Sequence, residues 1–484
     1  MYSFVNTGII IVITKDVQAM FVGRERELKA LNKLYDEKAF QMVVLYGRRR
    51  IGKTTLISEF AVGKQAMFFT AQEVNDALNL SQFSKTIYSF FDMPSSAGAF
   101  CSWNDAFEFL AVKAREQRFV LAFDEFPYAV SANRSLKSIL QTAIDHLFKD
   151  TGLFLILCGS HMGFMESEVL GYKSPLFGRR TAQLKLEGFD YYDAGKMLRG
   201  FCNEDKLKFY VCIGGTPHYL AQVKSSESFE QNIERLFFDM SGYLFNEPMM
   251  LLQQELREPA MYNSIVSAIA GGASKLNEIA TKIGEDSPKV SKYIKTLINL
   301  QLVHKIFPFD ENTQNSRKGI YRLADGCYDF WYSFVFPNKL EIEAGSGSIV
   351  AEADVFGERL STYVGKPGFE TICLQYLRRA NNSGKLPFTA TTFGSWWGAD
   401  TKEKKQADFD VVAANRSRKQ IILGECKWKR DVNLASEVKK LTGKEHLLAE
   451  YKERHYYIFS KMMPDGKRSW ENAKVVSMDM LYDI

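Results

Sequence analysis

Apolar and polar positions along this chain follow two rhythms. In the first part, short unbroken apolar runs alternate with stretches of helical spacing: Met42-Val43-Val44-Leu45, Ala66-Met67-Phe68-Phe69-Thr70, Phe119-Val120-Leu121-Ala122-Phe123 and Leu153-Phe154-Leu155-Ile156-Leu157-Cys158. Runs of this kind are what strands buried on both faces of a parallel sheet present. The helical stretches between them, such as Phe21 to Leu34 and Thr55 to Phe60, complete the alternation of a doubly wound α/β core. From Tyr191 the spacing turns helical, broken by Gly214-Gly215-Thr216-Pro217, where a Gly pair ends one helix and a Pro opens the next. Three short helices follow between residues 262 and 309, with apolar positions at Ile265, Ile269, Leu276, Ile279, Ile283, Val290, Ile294 and Leu297. Strand-like Leu302–Ile306 and Gly319–Leu323 close that unit, and an aromatic stretch from Asp329 to Pro337 leads to Glu343–Ser348, whose Gly and Ser content predicts a linker. An amphipathic helix around Phe369–Leu377 and paired strands Ala407–Ala413 and Ile421–Trp428 complete the pattern. The expected division is 1–20 extension, 21–190 sheet core, 191–258 helical lid, 259–325 helices with two strands, 326–360 aromatic segment and linker, and 361–484 a second α/β domain.

At 484 residues the chain is too long for one core, and 46% hydrophobic with 25% charged residues is ordinary for a folded protein that is not membrane-embedded. The apolar run Gly8–Ile13 is much shorter than the ~20 residues that span a bilayer, and it lacks a basic segment before it. An added edge strand and an over-long start before Met20 both remain open for it. The seven cysteines are scattered without a C-x-x-C pair, which predicts free thiols and a cytoplasmic protein, and the six histidines show no zinc pattern. A net charge of +5 permits contact with nucleic acid without requiring it.

The most specific chemistry lies in Gly47-Arg48-Arg49-Arg50-Ile51-Gly52-Lys53-Thr54-Thr55, which fits G-x-x-x-x-G-K-[ST] between a strand and a helix. The glycines let successive N–H groups converge at a helix N-terminus, Lys53 can reach the β- and γ-phosphates, and Thr54 can ligate Mg²⁺. A nucleoside triphosphate, ATP with Mg²⁺, is the expected ligand. Downstream, Asp124 and Glu125 end an apolar strand, placing one acid to hold the metal and the next to polarise water. Ser160, at the end of the Leu153–Cys158 run, is placed to orient that water or sense the γ-phosphate. Arg179 and Arg180 supply cations that could act in cis or from a neighbouring subunit.

Two further clusters carry candidate chemistry. Lys289, Lys292 and Lys295 recur every third residue along one helix, a side suited either to DNA phosphates or to protein contacts. Glu425 and Lys427 project to one face of their strand, and Asp410 starts its neighbour; two carboxylates and a lysine of this kind can bind Mg²⁺ and activate water.

Phe21-Val22-Gly23-Arg24-Glu25 ahead of the loop, together with the motifs above, resembles AAA-type ATPases of archaea and bacteria that carry a C-terminal domain of uncertain function. The resemblance extends from Phe21 to the end of the chain. It implies that Gly214-Gly215-Thr216-Pro217 is the lid element of the signal-transduction branch, bringing Pro217, and His218 beside it, towards the nucleotide. It implies a winged helix-turn-helix over 259–325. The last domain is similar to the PD-(D/E)XK nuclease core, with Asp410, Glu425 and Lys427 as its signature, Glu370 as the helix acid, and Phe409 where that family has Pro. The expected function is a Mg²⁺-dependent ATPase whose nucleotide state controls a region that binds double-stranded DNA, with cleavage of that DNA left open. The alternative is a nucleotide-dependent switch signalling through a protein partner or self-association, with an inert nuclease-like domain.

Overall fold

The computed structural model of the chain describes residues 21–94, 98–256, 258–314, 316–464, 469–470 and 472–484; the run Gly8–Ile13 lies outside them. The chain divides after Glu187 into two compact units. No helix among the described residues is long and apolar enough to cross a membrane.

In the first unit the apolar runs are strands β1 (Gln41–Tyr46), β2 (Ala66–Thr70), β3 (Val120–Asp124), β4 (Phe154–Gly159) and β5 (Ala182–Lys185), in the order β2-β3-β4-β1-β5. Every pairing is parallel. Strand β1 is buried along its whole length because both sheet faces are covered. Helices α1 (Glu25–Asp36) and α2 (Lys53–Ala61) pack on one side, where Leu31, Leu56 and Phe60 meet Val43, Leu45 and Phe154. Helices α3 (Asp76–Phe90) and α4 (Trp103–Glu116) pack on the other, around Phe83, Trp103 and Phe123, with α5 (Phe126–Ala132) directly after β3. This is the α/β class that the alternation predicts.

The second unit opens with α6 (Tyr191–Met197) and α7 (Asn203–Ile213). Helices α8 (Pro259–Ala270), α9 (Leu276–Ile283) and α10 (Ser287–Asn299) follow, joined to the antiparallel pair β6 (Val303–Ile306) and β7 (Ile320–Leu323). The C-terminal sheet comprises β8 (Thr392–Asp400), β9 (Lys405–Asn415), β10 (Gln420–Lys427), β11 (Glu453–Ser460), β12 (Ser469–Trp470) and β13 (Ala473–Ser477), in the order β12-β13-β11-β10-β9-β8. It is mixed: β10, β11 and β13 run parallel, whereas β8 and β9 pair antiparallel. Helix α11 (Glu370–Asn382) covers one face and α12 (Leu434–Thr442) the other.

Two expectations change here. The stretch Glu343–Ser348 joins two helical segments across a kink at Gly345 (φ 90°) rather than forming an extended linker, with Ile342 and Gly347 buried and Gly347 packed against the Phe238 carbonyl, which leaves no room for a side chain. The helices expected as a lid on the first unit share one hydrophobic core with the C-terminal sheet, running from Tyr191 and Phe209 to Val411, Phe459 and Leu481. Within this unit the β6–β7 loop is also tied down. Phe309 enters the core beside Phe409 and Tyr451, its N–H donates to Ser395 O (2.7 Å), and Asp310 receives Tyr451 Oη (2.5 Å) and pairs with Arg416. Truncating a buried Phe costs about 3–5 kcal/mol. Phe309→Ala should therefore lower the urea midpoint and open residues 307–319 to limited proteolysis; unaltered proteolysis would show that the loop is held by Asp310 alone.

Candidate functional site

At the end of β1 the chain turns sharply, and its geometry follows from two glycines. Gly52 adopts φ 88°, a left-handed conformation that glycine accepts without strain, as the N-cap of α2. Gly47 is needed for a different reason: a Cβ there would lie 2.5 Å from the Leu186 carbonyl oxygen, on the segment leaving β5. Leu186 N–H in turn donates to Tyr46 O at 2.7 Å. Lys53, 7% exposed, points its ammonium back at the loop, donating to Gly47 O (2.9 Å) and Arg48 O (3.0 Å). Arg49 reaches Tyr128 Oη on α5 (2.7 Å), and Arg50 takes a positive φ of 68°. Arg24, just before α1, donates to the carbonyls of Ile51 (3.2 Å) and Glu187. Sequence reading placed Arg24 in the segment ahead of the loop without a role of its own; its support of the loop depends on a contact across 27 residues.

Strand order brings the acids to this loop, because β3 and β1 flank β4 and all three end at the same edge. Thr54 Oγ1 lies 3.3 Å from Asp124 Oδ2, so a hydroxyl and a carboxylate converge, as a shared Mg²⁺ requires. Thr55 is exposed next to it. Asp124 Oδ1 accepts the Glu125 N–H (2.9 Å), and Glu125 sits at φ 48°, ψ 42°, an uncommon conformation for a residue with a side chain. Its Oε2 accepts from Ser160 Oγ (2.9 Å) and Ser160 N–H (3.3 Å). Ser160 thus holds the acid that sequence reading assigned to the attacking water.

Arg179 and Arg180 precede β5, and Ala182 pairs with Val43 low on β1, whereas the loop follows Tyr46. Three strand residues correspond to about 10 Å. Both arginines therefore leave the backbone near the opposite edge of the sheet. Arg179 is bidentate to Asp145, Nε to Oδ1 at 2.9 Å and Nη2 to Oδ2 at 2.8 Å, and Arg180 stands 5.8 Å over the Phe177 ring. The structure does not bring Arg179 to the loop within the chain.

In the second unit, Pro217 opens the short helix Pro217–Leu220, and the exposed His218 packs its ring 5.3 Å from Tyr243. Lys289, Lys292 and Lys295 are exposed along α10, with Lys289 paired to Glu285 at 2.9 Å. The C-terminal acids do come together. Between β8 and β9, Gly394 pairs with Val412 and Trp396 with Phe409, so Ser395 alone faces Asp410 and Val411. That bulge re-aims Asp410, whose Oδ2 accepts the Cys426 N–H at 2.8 Å. Burial and then the negative charge of Glu370 push the Asp410 carboxyl up to about 6; burial and Asp410 raise Glu425. Lys427 pairs with Glu425 (2.5 Å) and with Glu437 of α12 (3.5 Å), Lys444 lies 3.8 Å from Glu425, and Lys366 lies 3.1 Å from Glu370. Sequence reading missed Glu437, Lys366 and Lys444, which no spacing connects to the strand motif. Among the described residues no three His, Cys, Asp or Glu side chains are gathered closely enough to hold a metal ion, and the acids and lysines named here form a network of ion pairs.

Comparison with known proteins gives two family matches, the first of which runs past Glu187 into the second unit. Residues 21–223 match the family described as an ATPase domain predominantly from Archaea, and residues 331–441 match a family of archaeal and bacterial proteins of unknown function. An uncharacterized protein of Methanocaldococcus jannaschii is 30% identical over 95% of this chain and 99% of its own length. An uncharacterized ATP-binding protein of the same organism is 46% identical over 10% of this chain and 78% of its own length. Among solved structures, a Walker-type ATPase of Pyrococcus abyssi is similar in fold, with a TM-score of 0.53 and 19% identity over 64% of this chain and 96% of that one.

The close approach of Leu186 to Gly47 gives a direct test. Gly47→Ala should weaken nucleotide binding at least tenfold, about 1.4 kcal/mol, with the circular dichroism spectrum retained. Undiminished affinity by titration calorimetry would show that the Leu186 backbone yields freely.

Proposed function

The chain belongs to the family of its full-length Methanocaldococcus relative and carries a P-loop ATPase domain, and on that premise we propose that it hydrolyses ATP at Gly47–Thr55 and uses its nucleotide state to control DNA engagement by the second unit. The observation that carries the proposal is the convergence of Thr54, Asp124 and Glu125, with Glu125 fixed by Ser160. Backbone N–H groups from Gly47 to Thr55 would cradle the phosphates, and Lys53 would turn from its carbonyl partners to the β- and γ-oxygens. Thr54 and Asp124 are the residues that would hold Mg²⁺, which neutralises charge on the transferring phosphoryl group. Glu125 orients water for attack, and Ser160 positions Glu125. Pro217 would approach the nucleotide from the lid. Because Arg179 is held by Asp145 near the far sheet edge, an arginine acting on the γ-phosphate would come from a second copy of the chain, Arg180 being the less restrained of the two. The seven free thiols fit a cytoplasmic protein.

On the DNA side, helices α8–α10 with β6–β7 have the order of a winged helix-turn-helix. Docking of Phe309 occupies the loop that would serve as the wing, which leaves Lys289, Lys292 and Lys295 of α10 as the contacts to duplex phosphates. For the C-terminal pocket, Glu370, Asp410, Glu425 and Lys427 support a PD-(D/E)XK-like site. The pairing of Lys366, Lys427 and Lys444 with its carboxylates favours the second reading, a pocket that binds or signals without cutting.

ATP turnover by the full chain, measured with and without duplex DNA, tests the proposal. Glu125→Gln should reduce turnover by about 10²-fold or more, and Lys53→Ala should abolish binding. Duplex DNA should stimulate the wild type, and the stimulation should disappear when Lys289, Lys292 and Lys295 are changed together to Gln. Turnover indifferent to DNA, with no salt-sensitive duplex binding, would sink the DNA half and leave the signalling switch.

A further inference from the structure

The chain is held tightly on both sides of the boundary at Glu187. Before it, Leu186 donates to Tyr46 O and lies against Gly47, while Arg24 ties Glu187 O to Ile51 O. After it, Phe189 N–H donates to Gly215 O at 2.7 Å, and Asp190 caps α6 by accepting from the N–H groups of Tyr192 and Asp193. Only Gly188 separates Glu187 from Phe189.

What anchors α6 is α11. The Arg379 guanidinium binds Asp190 with two nitrogens, Nη2 to Oδ1 at 2.8 Å and Nε to Oδ2, and binds Asp193 at 2.5 Å. One turn earlier, Gln375 accepts Tyr191 N–H (3.1 Å) and donates to Tyr210 Oη on α7 (2.8 Å). Gln375 and Arg379, four residues apart, form one stripe of α11 facing α6 and α7. Ile372, Cys373, Tyr376, Leu377 and Ala380 form the stripe buried on the sheet. The first residue of the same helix is Glu370, which faces Asp410. A helix rises 1.5 Å per residue, so the clamp and the acid lie about 14 Å apart on one rigid rod.

We infer that α11 is a coupling lever: it transmits the nucleotide state of the Gly47–Thr55 loop, through α6 and Arg379, to Glu370 and the acid pocket of β9 and β10. The inference rests on ATP binding at that loop as proposed above, and it does not require the pocket to cut DNA. Arg379 is the coupling residue because its Nε and Nη2 engage two carboxylates at the start of α6 in three hydrogen bonds, a planar geometry that lysine cannot reproduce. Neither Asp190 nor Arg379 is among the residues assigned to nucleotide or acid-site chemistry.

Amide hydrogen exchange on the full chain, with and without a non-hydrolysable ATP analogue, tests the lever. In the wild type the analogue should slow exchange several-fold at residues 47–55 and shift it at least twofold in peptides covering 370–377 and 409–411. Arg379→Ala should keep the effect at 47–55 and the analogue's affinity, while the response at 370–377 and 409–411 falls below a third of the wild-type value. Gln375→Leu, which removes one prong and leaves the ion pairs, should give an intermediate response and guards against misfolding of the first variant. A full response in both variants, or no wild-type response at 370–377 despite protection at 47–55, would overturn the lever. Absence of protection at 47–55 in the wild type would instead remove ATP binding, and the lever with it.

Discussion

The approach of the Leu186 backbone to Gly47 is the constraint on which the nucleotide site depends. A phosphate loop works only if its N–H groups are held in one orientation before any ligand arrives, since ordering them afterwards costs conformational entropy. Here the order comes from outside the loop. The segment leaving β5 closes the ladder against Tyr46, its carbonyl fills the space a side chain at position 47 would need, and Arg24 braces Ile51 from the other side. The same segment is the last of the first unit, so the loop's support is also the chain's way out of it.

Much of the nucleotide site was legible because its chemistry is local in sequence. Gly47 to Thr55 are contiguous, and Asp124 and Glu125 end an apolar run whose burial on both faces is unambiguous. The partnership of Ser160 with Glu125 is less so, since it depends on β4 lying between β3 and β1, and strand order leaves no trace in spacing. Strand β5 was invisible for a plainer reason. Ala182–Lys185 alternates half-buried and exposed residues and has no apolar run to read. Missing it left the edge on which Arg179 and Arg180 stand undetermined.

The second unit shows a different limit. Periodicity tells which face of a helix is buried, never against what. The apolar faces of α6 and α7 were legible, yet their partners are α11 and the C-terminal tail, where Tyr191 Oη donates to Leu481 O and Tyr482 packs under Gly195. Composition misleads in the same way at Glu343–Ser348, where Gly and Ser signal flexibility but Gly347 is there for close packing against Phe238. The acids Glu370, Asp410 and Glu425 were legible as a motif together with Lys427, while Lys366 and Lys444, which also pair with them, were not, because they come from elements outside that motif.

That neutralisation decides how the pocket can respond. Its ion pairs are unequal. Lys366 is 62% exposed, so its bond to Glu370 is screened and contributes roughly 0–1 kcal/mol. Lys427 is 27% exposed and bridges two carboxylates that are each 11% exposed; among the described residues, removing it would leave Glu425 with Lys444 alone at 3.8 Å and Glu437 with Lys440 alone, a larger cost than losing the exposed pair at Lys366. Asp410 is fixed further by the bulge in β9 and the Cys426 N–H. The sheet side of the pocket is therefore stiff, and its weak member is the acid at the end of α11. A small displacement of that helix would break the cheap pair at Lys366, leave Glu425, Lys427 and Glu437 intact, and change the charge facing Asp410 without disturbing the fold. Glu370 is the place where movement of α6 and α7 costs least and alters the acid cluster most.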